Sequence, residues 1–170
     1  PGLTYHEHVL ENRENNFLAS VYSHKQIYGV AFLDISTGEF LTSQGDPSFI
    51  DKLLSNLTPK EVLVQKSKRE NFRELFGDSY QLYPLDEWVY TEDNAREKLA
   101  KQFGTQNLKG FGVQDMVSGI IASGAILQYL ELTQHELTAH ISRLSRLEQD
   151  HYVWLDRFTI RNLEIFHSLY

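Results

Sequence analysis

Between residues 17 and 44, apolar and polar positions alternate in three short runs: Phe17 to Tyr22, Ile27 to Ile35 and Glu39 to Ser43. A period of two is the mark of extended chain, so the runs predict a three-stranded meander. The middle run is apolar at both parities, with Val30 and Phe32 on one and Ala31, Leu33 and Ile35 on the other. A strand apolar on both faces has to be covered on both, which places it centrally and requires helices to follow.

The pattern then changes to the helical period. Asp46-Pro47 supplies an N-cap acceptor and a fixed φ at the first helical position. Phe49, Ile50, Leu53, Leu54 and Leu57 fall on one stripe, and Pro59 closes the helix. Glu61 to Gln65 predicts a short strand. Ser67-Lys68-Arg69-Glu70 has the form of a capping box before a helix bearing Phe72, Leu75 and Phe76, with Gly77 as its C-cap. Tyr80 to Tyr83 predicts a fifth strand stopped by Pro84. Thr91 then caps a helix carrying Ala95, Leu99 and Phe103, which Gly104 ends. Three strands followed by alternating helices and strands imply an α/β fold, a mixed sheet flanked by helices.

Residues 105 to 112 read as a glycine-bearing join, and Gln114 to Gln134 as one long helix. Met116, Val117, Ile120, Ile121, Ile126, Leu127 and Leu130 cover more than half its circumference, so it should be buried on two sides. From Thr138 the spacing loosens to Ile141, Leu144 and Leu147, then to an apolar block from Tyr152 to Leu155 and a short helix capped by Asp156. This last stretch is expected to be partly exposed, swapped with a neighbour or poorly ordered, its packing partners lying in further sequence.

Composition narrows the function classes. The 170 residues contain no Cys, which removes disulfide scaffolds and thiolate metal sites together. The formal charge is −7 with no clustered Lys and Arg, a poor match to the phosphate backbone of DNA. The pair Lys68-Arg69 is followed by an acid and reads as a solvated helix face. The longest apolar run, Ile120 to Leu127, is broken by Ser123 and Gly124 and falls far short of a bilayer span, so no membrane is expected. The chain begins at Pro1 and has its one Met at position 116, so it reads as an internal piece of a longer polypeptide.

The histidines offer no metal site by spacing: His135 and His140 are off a common helix face, and His6 and His8 lie in an unpatterned segment. Gly110-Phe111-Gly112 lacks the lysine and preceding strand of a phosphate loop. No cofactor is expected here.

An ordered set of motifs carries a family resemblance. Phe32-Leu33-Asp34-Ile35-Ser36-Thr37-Gly38-Glu39-Phe40 is followed by Gly124-Ala125-Ile126-Leu127-Gln128-Tyr129-Leu130, Thr133-Gln134 and His140-Ile141. Leu155-Asp156-Arg157-Phe158-Thr159-Ile160-Arg161-Asn162-Leu163-Glu164-Ile165 completes it. This set resembles the interior of the MutS family of DNA mismatch-repair proteins, with Ile160 where relatives often carry a second Arg. The resemblance implies a linker from an upstream mismatch-recognition domain over 1–16. It implies a connector domain of ribonuclease H-like fold over 17–134, and the beginning of the core or lever domain over 135–170. It also implies that mismatched duplex DNA, ATP and Mg²⁺ are bound by other parts of the parent dimer, in the cytoplasm and in association with the nucleoid during repair. A MutL-like protein is the implied partner.

That fold raises metal-dependent nuclease activity as an alternative, which needs carboxylates converging on Mg²⁺, one usually on the first strand. Phe17 to Tyr22 has none, and Asp34 and Glu39 flank a turn where Asp34 can accept backbone hydrogen bonds. A small-ligand regulatory module is a further alternative. Phe72-Arg73-Glu74 matches the Phe-x-Glu wedge of the family, but its place within an amphipathic helix assigns Phe72 to the core. The family's docking role directs attention to Arg96, Glu97, Lys98 and Lys101, a mixed-charge face opposite Ala95, Leu99 and Phe103.

Overall fold

A computed structural model describes residues 16–104, 116–133, 140–141 and 144–147, and the backbone of residues 167–168. The meander forms as the alternation requires: β1 (Phe17–His24), β2 (Ile27–Asp34) and β3 (Phe40–Gly45) pair antiparallel in succession. β4 (Glu61–Gln65) lies parallel to β1, and β5 (Leu82–Leu85) lies parallel to β4. Two short strands, β6 (Ser145–Arg146) and β7 (His167–Ser168), extend the other edge, giving the order β5-β4-β1-β2-β3-β6-β7. The first five strands thus run 3-2-1-4-5 with β2 reversed, the ribonuclease H-like arrangement.

Strand parity divides the interior into two cores. Phe17, Ala19, Val21, Val30 and Phe32 face α1 (Pro47–Leu57) and α2 (Arg69–Phe76), where Ile50, Leu53, Leu54, Phe72 and Phe76 are buried. Leu18, Ala31, Leu33 and Leu63 face the other side, with α3 (Glu92–Phe103) and α4 (Val117–Leu132). β2 is buried at every position after Ile27, as its double parity requires.

The helix ends are set locally at most positions. Asp46 Oδ1 accepts from the Phe49 amide at 2.9 Å, and Thr91 Oγ1 accepts from the Asn94 amide at 3.3 Å. Gly104 at φ 72° and Gly77 at φ 91° end α3 and α2.

Four expectations need correction. The capping box at Ser67 does not form: Lys66–Lys68 is a 3₁₀ turn, and the Ser67 amide donates to Glu87 Oε1 at 2.9 Å. Leu75 is not in the α2 stripe but is 42% exposed. β5 continues through Pro84, opposite Val64, because β5 is an edge strand and a missing N–H on its open side leaves no ladder bond unmade. Ile141, Leu144 and Leu147 are buried rather than exposed, since the Leu147 amide donates to Thr42 O at 2.9 Å and draws that segment onto β3. The join 105–112, the ends of the long helix at 114–115 and 134, His6, His8, His135 and the Asp156 cap lie outside the described residues.

α4 is the central helix. Every position from Ser118 to Gln128 is buried, because the sheet lies on one side of it and α3 on the other. Its approach is closest at glycines. A Cβ on Gly29 of β2 would lie 2.0 Å from the Ser118 carbonyl oxygen, and one on Gly124 would lie 2.4 Å from Ala95 Cα. Sheet, α4 and α3 are therefore stacked with backbone against backbone.

Candidate docking face on α3 and α4

The residues that could suggest catalysis are engaged in holding turns. Asp34 Oδ1 accepts from the Ser36 amide at 3.0 Å, the Ser36 hydroxyl at 2.6 Å and the Thr37 amide at 3.3 Å, which is an Asx turn. Gly38, at φ 78°, completes the turn by donating to Asp34 O at 2.8 Å. The same glycine leaves room for His140, whose ring nitrogen bonds Ile35 O and whose carbonyl oxygen would lie 2.3 Å from a Cβ on Gly38. The opening motif and the His140-Ile141 motif are thus one structural unit. Among the described residues, no group of three or more His, Asp or Glu is arranged to hold a metal. The middle of β1, where a carboxylate would be needed, is Ser20, paired with the Tyr90 hydroxyl at 3.1 Å.

A polar cluster that sequence reading missed lies at the C-terminal ends of β1, β4 and β5. Gln65 Nε2 donates to Glu87 Oε2 at 3.1 Å while Gln65 Oε1 accepts from the Ser23 amide at 3.5 Å. Burial acts to raise the Glu87 carboxyl, but hydrogen bonds from Ser67 and Gln65 and the charge of Lys68 outweigh it and leave the group below the usual carboxylate range. Lys66 and Asp86 pair beside it at 2.6 Å on the surface. Burial drives the Tyr90 hydroxyl upward, so it remains a neutral hydrogen-bond partner of Ser20.

The structure separates the four face residues of α3. Arg96 runs back along its own helix to Glu92 at 2.6 Å, an i,i+4 pair. Lys98 turns the other way and bonds Glu131 in the last turn of α4, with its side chain 13% exposed. Glu97 and Lys101 stay exposed between them. The hydrogen bond from Lys98 holds the Glu131 carboxyl below its ordinary value; burial opposes this, and the charges of Lys98 and Lys101 add to it. Nearby, the Tyr129 hydroxyl donates to Glu61 Oε1 at 2.9 Å and its ring packs edge-on against Tyr83. Burial first, then the Glu61 bond and charge, pushes that hydroxyl up to about 12. The face is therefore a mixed-charge surface on a helix locked to the central helix of the domain.

No described helix is long and apolar enough to cross a membrane. The sequence matches the family described as MutS domain II over residues 16–142. It is 55% identical over 168 residues to the DNA mismatch repair protein MutS of Flavobacterium psychrophilum, covering 99% of this chain and 19% of that protein. The MutS of Bacteroides thetaiotaomicron is 55% identical over 169 residues, and that of Bacteroides fragilis 53%, each match covering 99% of this chain and 20% of the relative. The chain thus spans about a fifth of the length of these relatives. The match across residues 16–142, on a ribonuclease H-like sheet, identifies the chain as a member of the MutS family of DNA mismatch repair proteins, carrying its connector domain.

Proposed function

We propose that this connector relays between mismatch binding and ATP hydrolysis elsewhere in the parent dimer, and that its α3 face is a docking surface for a MutL-like partner. The relay requires an element that transmits displacement without dissipating it. α4 supports that reading, because its backbone closes on β2 at Gly29 and on Ala95 of α3 at Gly124, leaving no long side chain between to absorb movement. The docking role rests on Glu97 and Lys101, exposed on a helix fixed from below. Mismatched DNA, ATP and Mg²⁺ are assigned to other domains of the parent, acting in the cytoplasm at the nucleoid. The beginning of the core domain is assigned to residues 135–170, of which Ser145–Arg146 and His167–Ser168 pair along the edge of the connector sheet.

Calorimetric titration of the full-length parent with the ATPase domain of its own organism's MutL tests the docking face. Reversal of Glu97 and Lys101 together is expected to weaken binding about ten-fold or more, since like charges then oppose at the contact. Unchanged affinity in the reversed protein would move the docking site off α3.

A further inference from the structure

His140-Ile141 and Leu144 to Leu147 are fastened to three separate elements of the connector. The His140 ring nitrogen donates to Ile35 O in the β2–β3 turn, and Gln102 of α3 donates through Nε2 to Ile141 O at 3.0 Å. On β3, Thr42 O accepts from the Leu147 amide at 2.9 Å and the Ser43 hydroxyl donates to Leu147 O at 2.7 Å. The apolar side chains divide between the two cores. Ile141 and Leu144 are buried on the side of α3 and α4, and Leu147 on the side of α1 and α2. The chain is therefore held at the β3 edge from both faces of the sheet. Gly38 admits the first of these contacts, since a Cβ there would lie 2.3 Å from the His140 carbonyl oxygen and 2.9 Å from its carbon, both backbone atoms.

We infer that this segment is a clasp, which fastens the chain passing from connector to core onto β3, the β2–β3 turn and α3, and so makes those elements the place where core movement enters the connector. The inference rests on the relay reading above and names its path of entry. A free loop at this place would absorb displacement by turning its backbone dihedrals. The clasp passes displacement on, because it cannot shift without bringing Ile141, Leu144 and Leu147 out of both cores together. Through Gln102 the path reaches α3 directly, without crossing α4.

The test uses the full-length parent as wild type, Gly38→Ala, Ser43→Ala and Gly104→Ala. Gly104 has φ 72° against 78° at Gly38 and open space around it, so Gly104→Ala carries similar backbone strain without the clash with His140. Hydrogen exchange at Leu147 reads the clasp, and the ratio of ATP turnover on mismatched to matched duplex DNA reads the relay. Wild-type exchange at Leu147 is expected to be slowed about ten-fold or more relative to free chain. Gly38→Ala should speed it about ten-fold and Ser43→Ala about three-fold, each with a turnover ratio drawn toward one, while Gly104→Ala changes neither. Ser43→Ala, the milder change, decides the matter should Gly38→Ala not fold. Exchange at Leu147 that is as fast as free chain, or indifferent to the variants, overturns the clasp and leaves the relay reading standing on α4. Faster exchange with an unmoved turnover ratio overturns the clasp's part in the relay. A wild-type ratio of one sinks the relay reading and this inference with it, while the exchange rates still report whether the segment is fastened.

Discussion

Gly29→Ala is the sharpest test of how α4 is seated. The added methyl would lie 2.0 Å from Ser118 O, 2.1 Å from Ser118 C and 2.5 Å from Gly119 N, all backbone atoms that no rotamer change can remove. Ordinary contact begins near 3.4 Å, so the first turn of α4 must retreat by roughly 1.4 Å. Gly119 is itself 2.8 Å, by its would-be Cβ, from Thr42 Oγ1, and its amide donates to Gln44 Oε1 at 3.2 Å, so the retreat also breaks the seat on β3. Overpacking of this kind costs about 1–3 kcal/mol, offset by the ~0.5 kcal/mol that alanine gains over glycine in the unfolded chain. A net loss of about 2 kcal/mol is expected, read in urea denaturation as a midpoint lower by about 1 M. Gly104→Ala is the control, since its Cβ meets nothing and only the left-handed backbone at φ 72° opposes it, at a cost of about 1 kcal/mol. A Gly29→Ala protein as stable as wild type, or more stable than Gly104→Ala, would show that α4 is not held by backbone contact with β2.

The titratable groups give two further expectations. Tyr129 has a folded pKa of about 12 against an ordinary 10.0, so its contribution is complete below pH 10, declines as pH rises, and is lost above 12. Tyr129→Phe should flatten the alkaline limb of a stability–pH curve, and an unaltered limb would contradict the bond to Glu61. Glu87 sits below its ordinary 4.5, so its contribution is present above that pH and lost as pH falls beneath it. Glu87→Gln should therefore flatten the acid limb and cost about 1 kcal/mol at neutral pH, measured by denaturant titration. Replacement of Asp34 by Ala should cost about 2 kcal/mol, because three donors of the β2–β3 turn lose one acceptor; a loss below about 0.5 kcal/mol would mean water replaces it.

How far the sequence revealed this structure follows the distance over which each signal acts. The caps at Asp46 and Thr91 were legible because acceptor and donor lie three residues apart. The buried β2 was legible because both its parities are apolar. The Ser67 capping box misled because the acceptor for that amide is Glu87, 20 residues on, and local spacing cannot weigh a competitor from another strand. Leu144 and Leu147 read as the loose start of another unit because what draws them in is β3, with Ser43 donating to Leu147 O across 104 residues. At the docking face the charges were visible and their directions were not. Lys98 and Arg96 look alike on a helical wheel, yet one spans 33 residues to Glu131 and the other binds Glu92 a turn away.

Hydrogen exchange on the full-length parent, with and without the MutL ATPase domain, addresses the docking face most directly. The account predicts slower exchange on α3, with α1 and α2 on the opposite side of the sheet unchanged. Protection on α1 or α2, with α3 unaffected, would contradict it.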